Sequence, residues 1–280
     1  MKIKITTIAE NTVATSKEQI GEHGLSFLIE AGDKKILFDT GQGFALAHNA
    51  PRMGIDLKSV STVVLSHGHY DHAGGLNALI NAGAEFELIA HPDIFEEKLA
   101  MHPAMGFIPI GLPLKKKFLE EKGIRLNLTK ESVEVAPGIV TTGEVRMKND
   151  FEKIEPMLFV RRDGKEMPDP LADDQALVIS AAQGTVLLLG CAHRGLVNTL
   201  DRAAELTGGR PVHAIIGGMH LERASDAQIA STIEELQKIE PKVISPAHCT
   251  GIRAQARLIQ EFGNRVVQAT VGNNFQFDIA

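Results

Sequence analysis

The sequence predicts an α+β fold in four layers: two β-sheets packed face to face with helices on both outer surfaces, an αββα sandwich. Three observations point there. Strand-like segments dominate the start of the chain, strand and helix signals alternate over residues 176–262, and no linker-like stretch separates the two regions. We therefore read residues 1–280 as one domain.

Taken in order, residues 3–8 alternate at period two and predict a strand. Strands over 25–30 and 35–38 flank Gly32-Asp33, a hairpin signal, and the second runs into Asp39-Thr40-Gly41. A helix is expected over 44–53, a buried strand over 60–66 that stops abruptly at His and Gly, and a helix over 76–82 after Gly74-Gly75. Residues 86–90 predict a strand, and 92–99 a helix with proline in its first turn. Proline and glycine turns make 101–118 a long loop or lid, and 133–142 returns to strand. Residues 147–174 are polar, broken by Pro156, Pro168 and Pro170, and predict a hairpin insertion. The remainder reads as strands over 176–180, 185–189, 212–216 and 242–245, with helices over 196–206, 227–239 and 252–262.

Composition narrows the function. A hydrophobic fraction of 44% and a charged fraction of 23% are ordinary for a globular chain of this length, which buries a core without staples. A net charge of -6 gives no general basic surface for nucleic acid. The densest basic spot, Lys115-Lys116-Lys117, reads as a solvated turn, with a phosphate-facing patch as its functional alternative. No apolar run reaches the ~18 residues of a membrane span. The two cysteines, Cys191 and Cys249, are too few for a disulfide framework and suit reducing surroundings. With no apolar signal core in the first residues, the expected compartment is the cytoplasm. A homo-oligomer is compatible with all of this.

The chemistry concentrates in Ser66-His67-Gly68-His69-Tyr70-Asp71-His72. In a loop leaving a strand, residues two apart can face the same way, so His67 and His69 can converge on one ion. Asp71 and His72 continue round the turn and can reach a second. Imidazole nitrogen and carboxylate oxygen suit zinc, iron or manganese. Four further segments end predicted strands with candidate groups: Asp39, Cys191 with His193, His220 and His248. His220 is read as a substrate contact or general acid. His23 is a weaker candidate, and His48, His91, His102 and His213 read as structural or exposed.

These motifs resemble the metallo-β-lactamase-fold superfamily along nearly the whole chain. The resemblance implies the αββα sandwich and a dinuclear centre of divalent ions, zinc first, with iron or manganese as alternatives. It places Asp39 behind the metal loop, where a carboxylate can fix a ligating imidazole. It makes His248 the late histidine of the second metal. Cys191 stands where the superfamily carries a metal-bridging aspartate. The superfamily's mid-chain histidine has no counterpart; Thr141-Thr142-Gly143-Glu144 lies there instead, leaving Glu144 or His193 to complete the shell of His67 and His69.

Several strings resemble one subfamily more closely: Glu22-His23-Gly24-Leu25-Ser26, Asp173-Asp174-Gln175-Ala176-Leu177, Gly190-Cys191-Ala192-His193, Asn198-Thr199-Leu200, Gly217-Gly218-Met219-His220-Leu221 and His248-Cys249-Thr250-Gly251. It is the group named for 7,8-dihydropterin-6-methyl-4-(β-D-ribofuranosyl)aminobenzene-5'-phosphate synthase. Its archaeal namesakes join a dihydropterin methyl diphosphate to a ribosyl-aminobenzene phosphate; many members are called metal-dependent hydrolases. The resemblance implies a small anionic substrate, with Asp71 orienting a water and residues 101–118 and 147–174 as substrate walls. The competing expectation is a non-catalytic metal or redox sensor in which Cys191 takes the water's place.

Overall fold

The computed structural model describes residues 2–14 and 18–279. The first part of the chain forms β1 (Lys2–Ala9), β2 (Ser26–Ala31), β3 (Lys34–Phe38), α1 (Phe44–Arg52), β4 (Thr62–Val64), α2 (Tyr70–Ala73), α3 (Leu76–Asn81) and β5 (Glu87–Ala90). The middle forms β6 (Glu97–His102), β7 (Gly106–Pro109), α4 (Lys116–Glu121), β8 (Arg125–Leu128), β9 (Glu134–Ala136), β10 (Ile139–Thr141), β11 (Leu158–Arg162) and β12 (Lys165–Pro168). The last part forms β13 (Ala176–Ala181), β14 (Gly184–Leu189), α5 (Leu196–Thr207), β15 (Val212–Gly218), α6 (Asp226–Ile239), β16 (Val243–Ala247), α7 (Ile252–Phe262) and β17 (Asn274–Asp278).

Period-two alternation explains the four layers. One sheet has the order β17-β1-β2-β3-β4-β5-β8, the other β16-β15-β14-β13-β10-β9. Phe27, Ile29, Ile36, Phe38 and Val64 of the first sheet meet Leu177, Ile179, Val186, Leu188 and Ile216 of the second in a central core. The intervening Leu28, Leu37, Val63 and Leu88 face the other way, against Leu46, Ala50, Leu76 and Leu79 of α1 and α3. On the far side, Val178, Leu187, Leu189 and Ile215 pack on α5, α6 and α7 through residues such as Leu200, Ile233 and Leu258. Both faces of each sheet are therefore apolar, as a sandwich covered by helices requires.

The middle of the chain departs from expectation. The helix predicted over 92–99 is a single 3₁₀ turn, Pro92–Phe95, followed by β6. Strand partners decide this: β6 pairs with β11 on one side and β7 on the other, which overrides local helix preference. The expected loop over 101–118 holds the β6–β7 turn, β7 and the start of α4. The polar stretch 147–174 contains the β11–β12 hairpin. The two stretches pair into a third sheet, β12-β11-β6-β7. The strand read over 133–142 is the β9–β10 hairpin, broken at Pro137-Gly138. Strands β8 and β17 add edges that the pattern did not announce.

Parallel pairing fixes where chemistry collects. β3 and β4 run parallel, as do β14, β15 and β16, so the carboxyl ends of each group open at a common edge. Asp39, Ala192, His220 and His248, at or just beyond such ends, all hold left-handed backbone with φ of 59, 54, 47 and 47°. Non-glycine residues adopt that region at a cost, and such strain clusters at functional sites.

Candidate metal centre

The loop after β4 is held from below by Asp39. Its Oδ1 accepts from the Ser66 backbone N–H at 2.7 Å, and its Oδ2 accepts from the Ser66 hydroxyl and from His72 Nδ1, each at 2.7 Å. The Ser66 proton is thereby spent on Asp39, so the Ser66 oxygen accepts from His67 Nδ1 at 2.9 Å. Both imidazoles thus point Nε2 into the same interior space. Glycine is required at position 190: a Cβ there would land on Ser66 Oγ and crowd Asp39.

Two clusters result. His67 Nε2 lies 2.9 Å from His69 Nδ1 and 3.2 Å from His193 Nε2. Tetrahedral ligands at zinc distances sit about 3.3 Å apart, so the spacing fits a cation. All three side chains are buried. Burial holds His67 and His193 well below the usual imidazole range and lowers His69 to about 3. Neutral rings with converging lone pairs repel each other unless a cation sits between them, and a metal answers that need.

In the second cluster, His72 Nε2 lies 3.2 Å from His248 Nε2, 3.0 Å from Cys191 Sγ and 3.8 Å from Asp71 Oδ2. Asp71 Oδ2 is 3.2 Å from both His248 Nε2 and His23 Nε2. His248 is aimed by Asn11, whose Oδ1 accepts from Nδ1 at 2.8 Å, while Glu10 accepts its backbone N–H at 2.7 Å. Burial opposes charge on His72, but Asp39 and Asp71 outweigh it and lift the imidazole to about 9. Burial likewise opposes ionisation of Asp71, yet His72, His23 and His248 hold its carboxyl well below the usual range. Burial pushes the Cys191 thiol up, so its thiolate needs a cation close by.

Most of the residues selected from sequence converge, in overlapping groups several of which share Cys191. His67, His69, Asp71, His72, Cys191, His193 and His248 are brought together. Glu144 is not: its carboxylate pairs with His91 at 3.0 Å and Lys130 at 3.1 Å, away from either cluster. The third nitrogen beside His67 and His69 comes from His193 instead. His220 packs tilted against His193 with centroids 4.1 Å apart, comes within ligand distance of Cys191 and His193, and pairs with Glu155 at 3.3 Å. Burial disfavours charge there, but hydrogen bonding to Cys249 and Glu155 raises His220 to about 10. His23, ranked low from sequence, stands against Asp71 and His248. Glu10, Asn11 and Glu155 were missed because they lie far away in the chain and carry no motif.

A cavity of about 300 Å³ opens onto these groups. Ala100, Ile110, Met157 and Leu158 of the third sheet and its connections line it together with His69, Asp71, His193 and His220, with Arg223 also on its wall. The lysine run lies outside this cavity; Lys116 and Lys117 are exposed and pair along α4 with Glu120 and Glu121. No helix among the described residues is long and apolar enough to cross a membrane.

Comparison with known proteins agrees with this geometry. Residues 20–248 match the family model described as the metallo-beta-lactamase superfamily. The chain is 33% identical to the 7,8-dihydropterin-6-methyl-4-(beta-D-ribofuranosyl)-aminobenzene-5'-phosphate synthase of Methanocaldococcus jannaschii, over 98% of this chain and 97% of the relative. A crystal structure of a metal-dependent hydrolase of the beta-lactamase superfamily superposes with a TM-score of 0.83 at 27% identity, covering 98% of both chains. A PhnP-family diphosphatase shares the fold, with a TM-score of 0.55 at 14% identity, over 100% of this chain and 99% of that one. The motif, the sandwich and the relatives coincide: this chain belongs to the metallo-β-lactamase superfamily.

Proposed function

We propose that the chain is a metal-dependent hydrolase or transferase that acts on a phosphorylated or ester-bearing small molecule at a dinuclear centre. The observation that carries this reading is the adjacent pair of clusters, each with its potential ligand atoms within reach of one another. His67, His69 and His193 would hold one ion; Asp71, His72 and His248 would hold the other, with Cys191 beside it. Zinc is the first expectation, with iron or manganese as alternatives. Divalent ions in such a site supply Lewis acidity and lower the pKa of a coordinated water.

The chain's own groups supply the rest. Asp71, kept ionised by its imidazole neighbours, orients a water in the cavity. His220 carries positive charge on the cavity wall beside His193 and is held there by Glu155, where it stabilises negative charge on a substrate oxygen. The apolar side of the cavity excludes water and grips the substrate body. The name of the archaeal relative, a synthase of a phosphate product, supports a phosphorylated substrate and keeps transfer beside hydrolysis.

The test is metal analysis of purified protein together with a panel of phosphodiester, diphosphate and lactone substrates, plus the dihydropterin diphosphate and aminobenzene partner. Two equivalents of metal and turnover lost in His69→Ala and Asp71→Ala are expected. Less than one equivalent after growth in ample metal overturns the dinuclear reading. A metal-loaded protein inert on the whole panel turns the assignment to a sensor.

A further inference from the structure

Lys98 lies on β6, outside the metal-bearing sheets, and its side chain is 1% exposed. An ammonium so deeply buried needs strong partners. Its Nζ donates to Asp173 Oδ1 at 2.8 Å and to Asp169 Oδ2 at 2.9 Å, and both carboxylates are buried too. Neither Lys98 nor Asp173 lines the 300 Å³ cavity. The trio is therefore not part of the wall of the cavity that opens onto the two clusters.

Asp173 has a second contact. Its Oδ2 accepts from the backbone N–H of Gly68 at 2.8 Å. Gly68 is the single residue between His67 and His69, so that bond fixes the peptide joining two candidate ligands. A Cβ on Gly68 would meet the Ile94 carbonyl oxygen at 2.5 Å, which closes the other side. The next two residues grip the neighbouring backbone. Asp174 Oδ2 accepts from Arg194 N–H at 2.9 Å, just beyond His193. Gln175 donates its backbone N–H to the Ser66 carbonyl and its side-chain amide to the Leu65 carbonyl, both at 2.9 Å. Three consecutive residues thus hold both loops that deliver His67, His69 and His193.

The third sheet reaches the same loop through its backbone. Ile110 N–H donates to the Lys98 carbonyl, and Tyr70 N–H donates to the Ile110 carbonyl, each at 2.9 Å. Lys98 therefore meets the metal loop by two routes: its side chain through Asp173 to Gly68, and its carbonyl through Ile110 to Tyr70.

We propose that Lys98 and Asp173 form a positioning pair that sets the geometry, and hence the metal affinity, of the His67–His69–His193 cluster. The inference rests on the metal reading of that cluster. Without the ammonium, Asp169 and Asp173 are left as like-charged buried neighbours. Asp173 then loses its fixed orientation, and Gly68 loses a charged acceptor. The other cluster is anchored instead by Asp39, Asn11 and Glu10; of these contacts it adjoins only the Ile110–Tyr70 backbone bond, next to Asp71, and removing the lysine side chain leaves that bond in place.

Cobalt(II) titrations separate the two clusters when one ligand of each is removed in turn: His248→Ala leaves the His67–His69–His193 component and His69→Ala leaves the other, since Cys191 lies within reach of both. In such titrations of the metal-free protein, adding Lys98→Met is expected to weaken the first component by about 10–100-fold and to leave the second within about twofold. Lys98→Arg, which keeps the charge, recovers most of the loss. Should Lys98→Met fail to fold, the near-isosteric Asp173→Asn carries the same expectation. Equal weakening of both components, no weakening, or no recovery with arginine overturns the proposal. A wild-type protein that takes up no cobalt overturns the metal reading itself, and shows it before any substitution is made.

Discussion

His72 Nδ1 sits 2.7 Å from Asp39 Oδ2, and both side chains are fully sealed from solvent. One carboxylate thereby orients the His72 ring and, through Ser66, the His67 ring. Asp39→Asn keeps the size and tolerates the left-handed backbone, but sets an amide N–H against the donors of Ser66 and His72. Metal affinity should fall by about 10–100-fold. Competition with a chromophoric chelator measures it, and an unchanged affinity would show that Asp39 merely fills space.

Glu152 is a buried cap on α5. Its carboxylate accepts from the backbone N–H groups of Val197 and Asn198 at 2.8 and 2.9 Å, where side-chain caps are otherwise lacking. Glu152→Ala leaves those donors unsatisfied and should cost about 1–3 kcal/mol. Urea unfolding of the metal-free protein reads this directly. A loss of only a few tenths would mean that water replaces the carboxylate.

Asp174 gives the protein a pH signature. Burial pushes its carboxyl up from 3.8 to about 7, against hydrogen bonds from the backbone of Arg194 and His193. With the folded value above the unfolded one, the unfolded chain releases this proton first as pH rises. The group's stabilising contribution is therefore lost between about pH 4 and 7 and is flat above that range. Asp174→Asn removes the titration, so the variant should gain stability on wild type across that interval. Unfolding free energies of metal-free protein at pH 4, 5.5, 7 and 8 test this; a constant difference between the two proteins would refute it.

The His220–Glu155 pair predicts a split between chemistry and metal content. His220→Asn removes the positive charge from the cavity wall while both ligand clusters stay whole. Turnover should drop by about 10²–10³-fold with metal stoichiometry unchanged. Loss of metal alongside activity would instead assign His220 to the ligand set.

The four layers and most of the residues that meet in the two clusters were legible because both follow from local rules. Alternation in 25–30, 35–38, 176–180 and 185–189 puts every second residue into the central core, and the histidine loop announces itself by its spacing. The helix expected over 92–99 failed because β6 is a strand only through partners from 106–109 and 158–162. The choice between Glu144 and His193 was open for a similar reason. Which of them meets His67 depends on how β10 and β14 align across the sheet, and His91 had no visible claim on Glu144. His23, Asn11 and Lys98 act across distances that no window of sequence spans.

The third sheet is assembled from two insertions that lie on either side of the β8–β10 region, and neither is part of the sandwich. Such a cap resembles an exchangeable module: replace it, and one metal engine should serve another substrate. The Lys98 contacts qualify that modularity. A transplanted cap that lacks a buried cation would leave Asp169 and Asp173 facing each other beneath the ligand loop. Recombination between relatives should therefore succeed when the crossover keeps 98 together with 169–175, and fail when it parts them. The unit of inheritance here is the cap together with its fastening.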